Sequence, residues 1–355
     1  MSQSTFKRKA HAAYFTRCMR ALPSQAQEHD ANRVTIAFFC LAGLELLGVL
    51  PQDGERDDWI EWLWSLQADS GGFSGSPSAT AHLPSTYTAL SALALLRAPL
   101  DKLNRAGLAA FLRACQAPDG SFAPTTEIEG EFQNDVRMSY CAAIARAVLR
   151  APGRTSAGAG PGPSDSSGTA TVAASVDEIP DVDVKAAIGF LDKCKTWEGG
   201  YSARPGLEAQ GGTTYCATAA LSLFGGLTVS DHAASIMDTT RWLTQRQIGG
   251  FQGRPGKLED VCYSFWCGGA LATLSLASLV NAPPNTSFLL DAQSPIGGFG
   301  KAPEDFPDPF HSYLALAALA LTPARDELGL KELDPVWNLP PVARDWLLSG
   351  GNESA

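Results

Sequence analysis

Residues 242–266 read WLTQRQIGGFQGRPGKLEDVCYSFW, and this stretch contains every part of a unit that the chain repeats. An apolar segment runs into a Gly-Gly-aromatic turn, a polar loop follows, and a second apolar segment begins. Five such turns occur, one of them with Ser as its second residue, and their aromatic residues are 49, 79, 50 and 48 residues apart. These aromatic residues are Phe73, Phe122, Tyr201, Phe251 and Phe299. A repeat of this length is typical of two packed helices.

The two apolar segments of each unit have different patterns. Before the turn, apolar residues follow helical spacing, and Trp59, Trp62, Leu63 and Leu66 show it at offsets of 0, 3, 4 and 7. After the turn, the segments are apolar nearly all round, which indicates buried helices. Residues 33–50 add a sixth buried segment. The pattern therefore predicts an all-α fold, an α/α barrel (toroid) of six inner and six outer helices built from helical-hairpin repeats.

Composition restricts the classes of function. The length of 355 residues allows two domains, but the continuous repeat favours one closed domain over residues 1–355. A net charge of −10 argues against nucleic-acid binding, and the absence of long apolar runs argues against an integral membrane protein. Eight scattered cysteines within apolar segments favour a reducing, cytoplasmic compartment. Residues 1–10 lack the apolar core of a signal peptide.

Residues 151–182 interrupt the repeat. They are rich in Gly, Ser, Pro, Ala and Thr, and they fall within the one long interval of 79 residues. Such a composition cannot bury enough apolar surface to offset the entropy lost on ordering. We therefore expect a disordered surface insertion at 151–182.

Asp260, Cys262 and His311 have the chemistry and the spacing of a metal site. Carboxylate, thiolate and imidazole are ligands of zinc, and three protein ligands leave a fourth position open, as in catalytic sites. His311 follows Cys262 by 49 residues, one repeat, so that the three side chains are expected to meet at one mouth of the barrel. Two alternatives remain open. In the first, there is no metal site: Asp260 is only a helix N-cap and Cys262 only packs in the core. In the second, His82, which also precedes an inner helix, supplies the imidazole in place of His311.

Basic residues adjoin this site. Arg254 and Lys257 lie in the loop before Asp260, and Lys301 occupies the equivalent loop one repeat later. Loop cations are most often merely solvated. Here, however, every inner helix begins at the same mouth, where free N–H groups favour anions. Guanidinium and ammonium groups bind phosphate, so the pattern predicts a diphosphate or another multiply charged anion, to which Tyr263 could donate a hydrogen bond.

The inner helices are also rich in aromatic residues. Such residues are more often ordinary core than the lining of a ligand site. In a barrel of six inner helices they can also surround an apolar cavity. The candidates are Phe38 or Phe39, Tyr140, Tyr215, Phe265, Trp266 and Tyr313.

Six segments together resemble the β-subunits of protein prenyltransferases. They are TIAFF at 35–39, NDVR at 134–137, GLEAQGGTTYC at 206–216, GRPGK at 253–257, DVCYSFW at 260–266 and PDPFH at 307–311. The resemblance covers about residues 10–325 outside the insertion, and it implies an α/α-barrel subunit that pairs with a helical-repeat α-subunit. It also implies one zinc ion per β-subunit, held by Asp260, Cys262 and His311, which binds the thiolate of a substrate cysteine.

The resemblance implies roles for further residues by position. Those that would bind the isoprenoid diphosphate are Arg254, Lys257, Tyr263, Lys301 and Gln210. Those that would line the isoprenoid and peptide pocket are Thr35, Phe39, Arg137, Tyr140, Cys216, Trp266, Phe310 and Leu314. The chain departs from the family pattern at three of these positions: Gln210 replaces a histidine, Leu314 an aromatic residue, and Phe310 the leucine common in type-I enzymes.

Lys301 and Thr35 distinguish the members of this family. Farnesyltransferase-like and type-II chains carry Asp at the position of Lys301, and in farnesyltransferases it binds magnesium. A lysine there resembles the type-I geranylgeranyl enzymes, in which its charge replaces that metal, so we expect no Mg²⁺ requirement. Farnesyltransferases carry Trp at the position of Thr35. The smaller residue leaves room for a fourth isoprene unit, each buried CH₂ contributing about 0.8 kcal/mol.

The resemblance thus implies the catalytic β-subunit of a type-I protein geranylgeranyltransferase. It would transfer geranylgeranyl from geranylgeranyl diphosphate to the cysteine of proteins that end in C-a-a-X, with X often Leu, such as Rho-type small GTPases. The alternatives are a farnesyltransferase β-subunit and a non-catalytic α/α-barrel interaction protein without zinc. A terpene cyclase would need an Asp-rich proton-donor motif, and the sequence shows none.

Overall fold

The computed structural model describes residues 5–21, 30–127, 134–151, 179–227 and 233–352. Within these ranges the chain forms α-helices and isolated β-bridges, without a longer strand. The inner helices are α2 (Arg33–Leu46), α4 (Leu83–Leu95), α6 (Val136–Arg150), α8 (Gly211–Phe224), α10 (Val261–Thr273) and α12 (Pro309–Ala320). The outer helices are α1 (Arg8–Arg20), α3 (Asp53–Ser65), α5 (Arg105–Cys115), α7 (Val184–Lys193), α9 (Ala233–Thr244) and α11 (Ala282–Asp291).

The inner helices form a closed ring. Each packs against the next in chain order, and α12 packs against α2. Each inner helix also contacts the outer helix that precedes it, so the ring consists of six helical hairpins. The predicted toroid of six inner and six outer helices is confirmed. Two short helices, α13 (Ala324–Leu328) and α14 (Pro341–Leu348), follow the sixth hairpin.

At the glycine turns, the backbone of each hairpin packs directly against the next outer helix. Gly71 has a φ of +92°, and a Cβ atom there would lie 2.0 Å from the backbone nitrogen of Leu108 in α5. Both the left-handed backbone and the close approach require glycine. In the sixth hairpin a Cβ on Gly297 would lie 2.1 Å from the carbonyl oxygen of Ala10 in α1. The N-terminal helix therefore takes the place of a seventh outer helix and closes the outer ring.

A buried histidine in α1 stabilises the contact between α1 and the sixth hairpin. His11 Nε2 lies 3.0 Å from Gln293 Oε1, and the N–H of Gly298 donates to His11 Nδ1 at 3.0 Å. The imidazole also stacks on Phe299 with 4.5 Å between ring centroids. Because Nδ1 accepts a hydrogen bond, the ring is neutral and carries its proton on Nε2. Burial lowers the pKa of His11 from 6.5 to about 4.

This closure is expected to weaken in acid. The folded-state pKa of His11 is the lower one, so its contribution to the free energy of unfolding is complete above pH 6.5 and is lost as the pH falls toward 4. At pH 5 the loss is about 2 kcal/mol. Urea unfolding between pH 7 and 4.5 should show this loss in the wild type and a smaller one in His11→Gln. Equal pH dependence in the two proteins would contradict the assignment.

At the mouth, the loop of each repeat lies over the start of the preceding inner helix. A backbone N–H at the start of the inner helix donates to a carbonyl oxygen in that loop. The pairs are Val34 with Gly75, Leu83 with Pro124, Val136 with Ala203, Gly211 with Gly253, and Val261 with Lys301. Residues one repeat apart in sequence are therefore neighbours at the mouth.

The segment after α13 closes the opposite end of the barrel. Tyrosine hydroxyls from the inner helices donate to its backbone carbonyls, and Trp346 Nε1 donates to the carbonyl of Ala98 at 2.8 Å. The tyrosine pairs are Tyr140 with Val336, Tyr215 with Pro335, and Tyr313 with Asn338. Within the described ranges, the end formed by the inner-helix N-termini is therefore the one at which the predicted site lies.

Most of the predicted insertion lies outside the described residues, at 152–178. Its last residues, 179–182, are described, and residues 180 and 181 are exposed. Asp181 pairs with Arg146 of α6 at 2.7 Å, and Val182 is buried. All eight cysteines are free and buried, as their apolar surroundings predicted. Among the described residues, no helix has both the length and the apolar character needed to cross a membrane.

Candidate active site

Asp260, Cys262 and His311 converge at the mouth. Their donor atoms all lie within 4.8 Å of one another, and His311 Nε2 is 3.4 Å from Asp260 Oδ1. Asp260 is the N-cap of α10, and its carboxylate accepts the N–H of Cys262 at 2.9 Å. The capping role and the metal-ligand role of Asp260 are thus compatible, because one carboxylate oxygen caps the helix while the carboxylate also faces the imidazole. His82 stands at the N-cap position of α4 without a side-chain cap hydrogen bond and does not join this cluster, so the structure favours His311 as the histidine ligand.

The three donors fit a zinc ion. Sulfur, nitrogen and oxygen ligands of a tetrahedral zinc lie about 3.3–3.8 Å apart, which the present spacing approaches within small side-chain movements. One imidazole, one thiol and one carboxylate leave a fourth position for an incoming ligand. No other group of His, Cys, Asp and Glu in the described part of the chain meets the same distance criterion.

Proton binding at these ligands reflects their mutual contacts. Burial raises the pKa of Cys262 well above its usual range, and the adjacent Asp260 carboxylate adds to the effect. Burial lowers the pKa of His311, but hydrogen bonds to Asp260 and Asp308 outweigh it and raise the value to about 9. Burial likewise opposes ionisation of Asp260, whereas hydrogen bonds from His311 and Cys262 bring its pKa below the ordinary value. A bound cation would displace protons from the thiol and the imidazole.

Asp308 is a site residue that the sequence interpretation missed. It is the N-cap of α12, and its Oδ1 accepts the backbone N–H of His311 at 2.9 Å. Its Oδ2 lies 2.6 Å from His311 Nδ1, which directs Nε2 toward Asp260. A carboxylate on the second nitrogen of a ligand histidine fixes the tautomer and the ring orientation. The sequence feature that could have identified Asp308 is an aspartate at the start of a helix, three residues before the histidine.

The three predicted cations lie in the loops that precede α10 and α12. Lys301 Nζ is 4.0 Å from Asp260 Oδ2. Arg254 Nη1 is 2.5 Å from Glu208 Oε2, a partner that the sequence did not indicate. Lys257 is exposed in the same loop, where its backbone N–H donates to the carbonyl of Arg254 at 3.3 Å. Lys301 is thus the cation that lies beside the cluster, whereas Arg254 pairs with Glu208 and Lys257 is exposed.

Tyr263 and Gln210 form a pair across two repeats. Gln210 Nε2 donates to the Tyr263 hydroxyl at 2.7 Å. Gln210 is also the N-cap of α8, and its Oε1 accepts from the backbone N–H groups of Gly212 and Thr213. Both polar ends of the Gln210 amide are engaged.

An aromatic wall extends from the metal ligands toward α2. The ring of Phe310 lies 5.0 Å from His311, 6.3 Å from Trp266 and 5.5 Å from Phe39, measured between centroids. Thr35 stands on α2 near this wall, with its hydroxyl 3.4 Å from that of Thr88 on α4. Three of the predicted pocket residues are thus joined in one wall.

The other predicted pocket residues differ in how far they are exposed. Arg137 is held by its own N-cap, Asp135, and 64% of its side chain stays exposed. Tyr140 and Cys216 are nearly buried, and burial raises the pKa of Cys216 to about 12. Leu314 is completely buried in the core, so in this conformation it offers no surface to a ligand.

Comparisons with known proteins agree with this geometry. A family model described as "Prenyltransferase alpha-alpha toroid domain" matches residues 6–339. The geranylgeranyl transferase type-1 subunit beta of Arabidopsis thaliana is 32% identical over 96% of this chain and 90% of its own length. The protein farnesyltransferase subunit beta of Schizosaccharomyces pombe is 32% identical over 90% of this chain and 78% of its own length.

A solved structure adds to these relatives. It is Candida albicans protein geranylgeranyltransferase-I complexed with GGPP, with a TM-score of 0.82 and 26% identity, covering 98% of this chain and all of the other. The family match, the full-length relatives and the structural likeness all point to the same group. The chain belongs to the prenyltransferase alpha-alpha toroid family and is a member of its protein prenyltransferase β-subunits.

Proposed function

We propose that this chain is the catalytic β-subunit of a type-I protein geranylgeranyltransferase, with one toroid domain over residues 1–355. The observation that supports this most is Lys301 Nζ, 4.0 Å from Asp260 Oδ2 within the Asp260, Cys262 and His311 cluster. An ammonium group beside these residues would supply positive charge where a second metal ion would otherwise be needed. We therefore expect zinc, but no Mg²⁺, to be required.

Asp260, Cys262 and His311 would hold the zinc ion. When bound, zinc lowers the pKa of a substrate cysteine thiol and keeps it as the nucleophilic thiolate. Arg254, Lys257, Tyr263 and Lys301 would bind the diphosphate and stabilise the negative charge that grows on it as the C1–O bond breaks. A protein general base is unnecessary once the thiol is ionised. The side chains thus bind and orient both substrates.

The acceptor would be the C-terminal C-a-a-X segment of proteins such as Rho-type small GTPases, in the cytoplasm. The wall of Phe39, Trp266 and Phe310 would contact the isoprenoid and the peptide, with Arg137, Tyr140 and Cys216 near the tail of the peptide. The preference for a C20 chain would follow from Thr35, whose small side chain leaves space that a tryptophan would fill.

A prenyltransferase α-subunit would cover the rim of the mouth. Three apolar side chains in the loops before α8, α10 and α12 are largely exposed there: Leu207 at 49%, Leu258 at 90% and Phe306 at 93%. These side chains would contribute apolar surface to the contact with that subunit. We therefore propose a heterodimer as the active form.

The proposed function predicts a substrate preference. The heterodimer should transfer geranylgeranyl to a peptide ending in Leu faster than it transfers farnesyl to peptides ending in Ser or Met, with Mg²⁺ omitted. Thr35→Trp should reverse the preference for the isoprenoid by roughly 10–100-fold, because the indole fills the space of the fourth isoprene unit. Ratios of kcat/KM for the two diphosphates give the measurement. A wild-type preference for farnesyl diphosphate would instead identify a farnesyltransferase.

A further inference from the structure

The side-chain amide of Gln210 has only one favourable orientation at the mouth. Its Oε1 accepts the N–H groups of Gly212 at 3.1 Å and Thr213 at 3.3 Å, two of the free donors at the start of α8. A flipped amide would turn its NH₂ group toward these two donors, which is unfavourable. The NH₂ group is therefore fixed on the side that faces Tyr263, where it donates to the hydroxyl at 2.7 Å.

This contact decides the state of the Tyr263 hydroxyl. A phenol has one proton to donate, and the Gln210 NH₂ group can only donate to its oxygen. The Tyr263 proton must therefore point elsewhere. Among the hydrogen bonds of the described residues, none takes this proton to a protein acceptor. The hydroxyl is consequently kept as a donor for a ligand.

The Tyr263 ring is also fixed in place. A Cβ atom on Gly253 would lie 2.2 Å from the ring, and one on Gly211 would lie 2.9 Å from it. The ring therefore packs directly on two backbone segments, the loop that carries Arg254 and the start of α8. The hydroxyl consequently lies beside the cationic loop rather than in the apolar wall.

We propose that Gln210 is a positioning residue that holds Tyr263 as an obligate hydrogen-bond donor to the isoprenoid diphosphate, rather than a diphosphate ligand itself. This inference rests on the proposed function. Both polar ends of the Gln210 amide are occupied within the protein, whereas the Tyr263 proton is available. Because the amide does not titrate, the donor state of Tyr263 does not depend on protonation of its partner.

Gln210→Glu is the decisive variant, because it keeps the shape and the helix cap but replaces the donor NH₂ with an acceptor oxygen. The Tyr263 hydroxyl would then donate its hydrogen bond to this carboxylate and would no longer donate it to the diphosphate. Tyr263→Phe removes the same proton directly. In the holo-heterodimer with geranylgeranyl diphosphate, each change should lower the single-turnover rate by roughly 10–100-fold. Gln210→His, which can accept with one nitrogen and donate with the other, should retain most of the rate.

The double variant distinguishes this role from a merely structural one and from simple charge repulsion. If Gln210 acts through Tyr263, then adding Gln210→Glu to Tyr263→Phe should cost much less than it does in the wild type. Fully multiplicative losses would overturn the inference, as would full activity of Gln210→Glu. Thermal unfolding checks that each variant is folded. An inactive wild-type heterodimer would instead reject the proposed function.

Discussion

Replacing Cys262 with alanine is expected to reduce prenyl transfer by roughly 1,000-fold or more. The change removes the only sulfur ligand from the Asp260, Cys262 and His311 cluster, and two remaining donors do not form a closed site for zinc. Without the ion, the substrate thiol has only a few per cent of thiolate at pH 7 and is no longer held in place. Single-turnover kinetics with a C-a-a-X peptide measure this loss.

Cys267→Ala is the matched control. Cys267 lies on the same helix and is also buried, but its thiol does not belong to the cluster. Its replacement should cost about 1 kcal/mol of stability and leave zinc content and transfer rate within a few-fold of the wild type. Wild-type activity in Cys262→Ala, or an equal loss in both variants, would contradict the role of Cys262.

Lys301→Asp is expected to make the reaction depend on magnesium. Without Mg²⁺ the rate should fall roughly 100-fold, because a cation that stabilises the departing diphosphate is lost. The new carboxylate would lie near Asp260, from which the lysine ammonium is now 4.0 Å away, and together with the diphosphate it would offer oxygen ligands to Mg²⁺. Millimolar Mg²⁺ should then restore much of the rate, which steady-state assays across a magnesium titration will show.

Two controls accompany this variant. Lys301→Ala should lose a similar factor without recovery in Mg²⁺, because alanine provides no ligand. Lys102→Asp makes the same charge change in an exposed loop at the opposite end of the barrel, after α4, and should have little effect. A Lys301→Asp enzyme that is indifferent to Mg²⁺, or fully active without it, would refute the proposed role of the ammonium group.

Most of the fold was predictable because one interval recurs. Phe251 and Phe299 are 48 residues apart, and Cys262 and His311 are 49 apart, so both pairs are separated by about one repeat. The hydrogen bond from the Val261 N–H to the carbonyl of Lys301 shows why this interval matters. Each loop lies over the preceding inner helix, so equivalent positions in adjacent repeats become neighbours. The cluster of Asp260, Cys262 and His311 and the position of Lys301 beside it were predictable from sequence for this reason.

Other features depend on side-chain contacts that no spacing encodes. Glu208 was not anticipated, because its pairing with Arg254 depends on how two loops approach each other. The family pattern made Gln210 a diphosphate ligand, whereas its hydrogen bonds direct it to Tyr263. The closure of the outer ring by His11 has no counterpart in the repeat, since it joins the first helix to the last hairpin.

The central claim is that Asp260, Cys262 and His311 hold a zinc ion that receives the substrate thiolate. X-ray absorption at the zinc edge of the purified heterodimer tests it most directly. We expect one zinc per β-subunit with one sulfur ligand at about 2.3 Å, and two sulfur ligands after a C-a-a-X peptide is bound. Active protein without zinc, or a sulfur count that does not rise with peptide, would contradict the account.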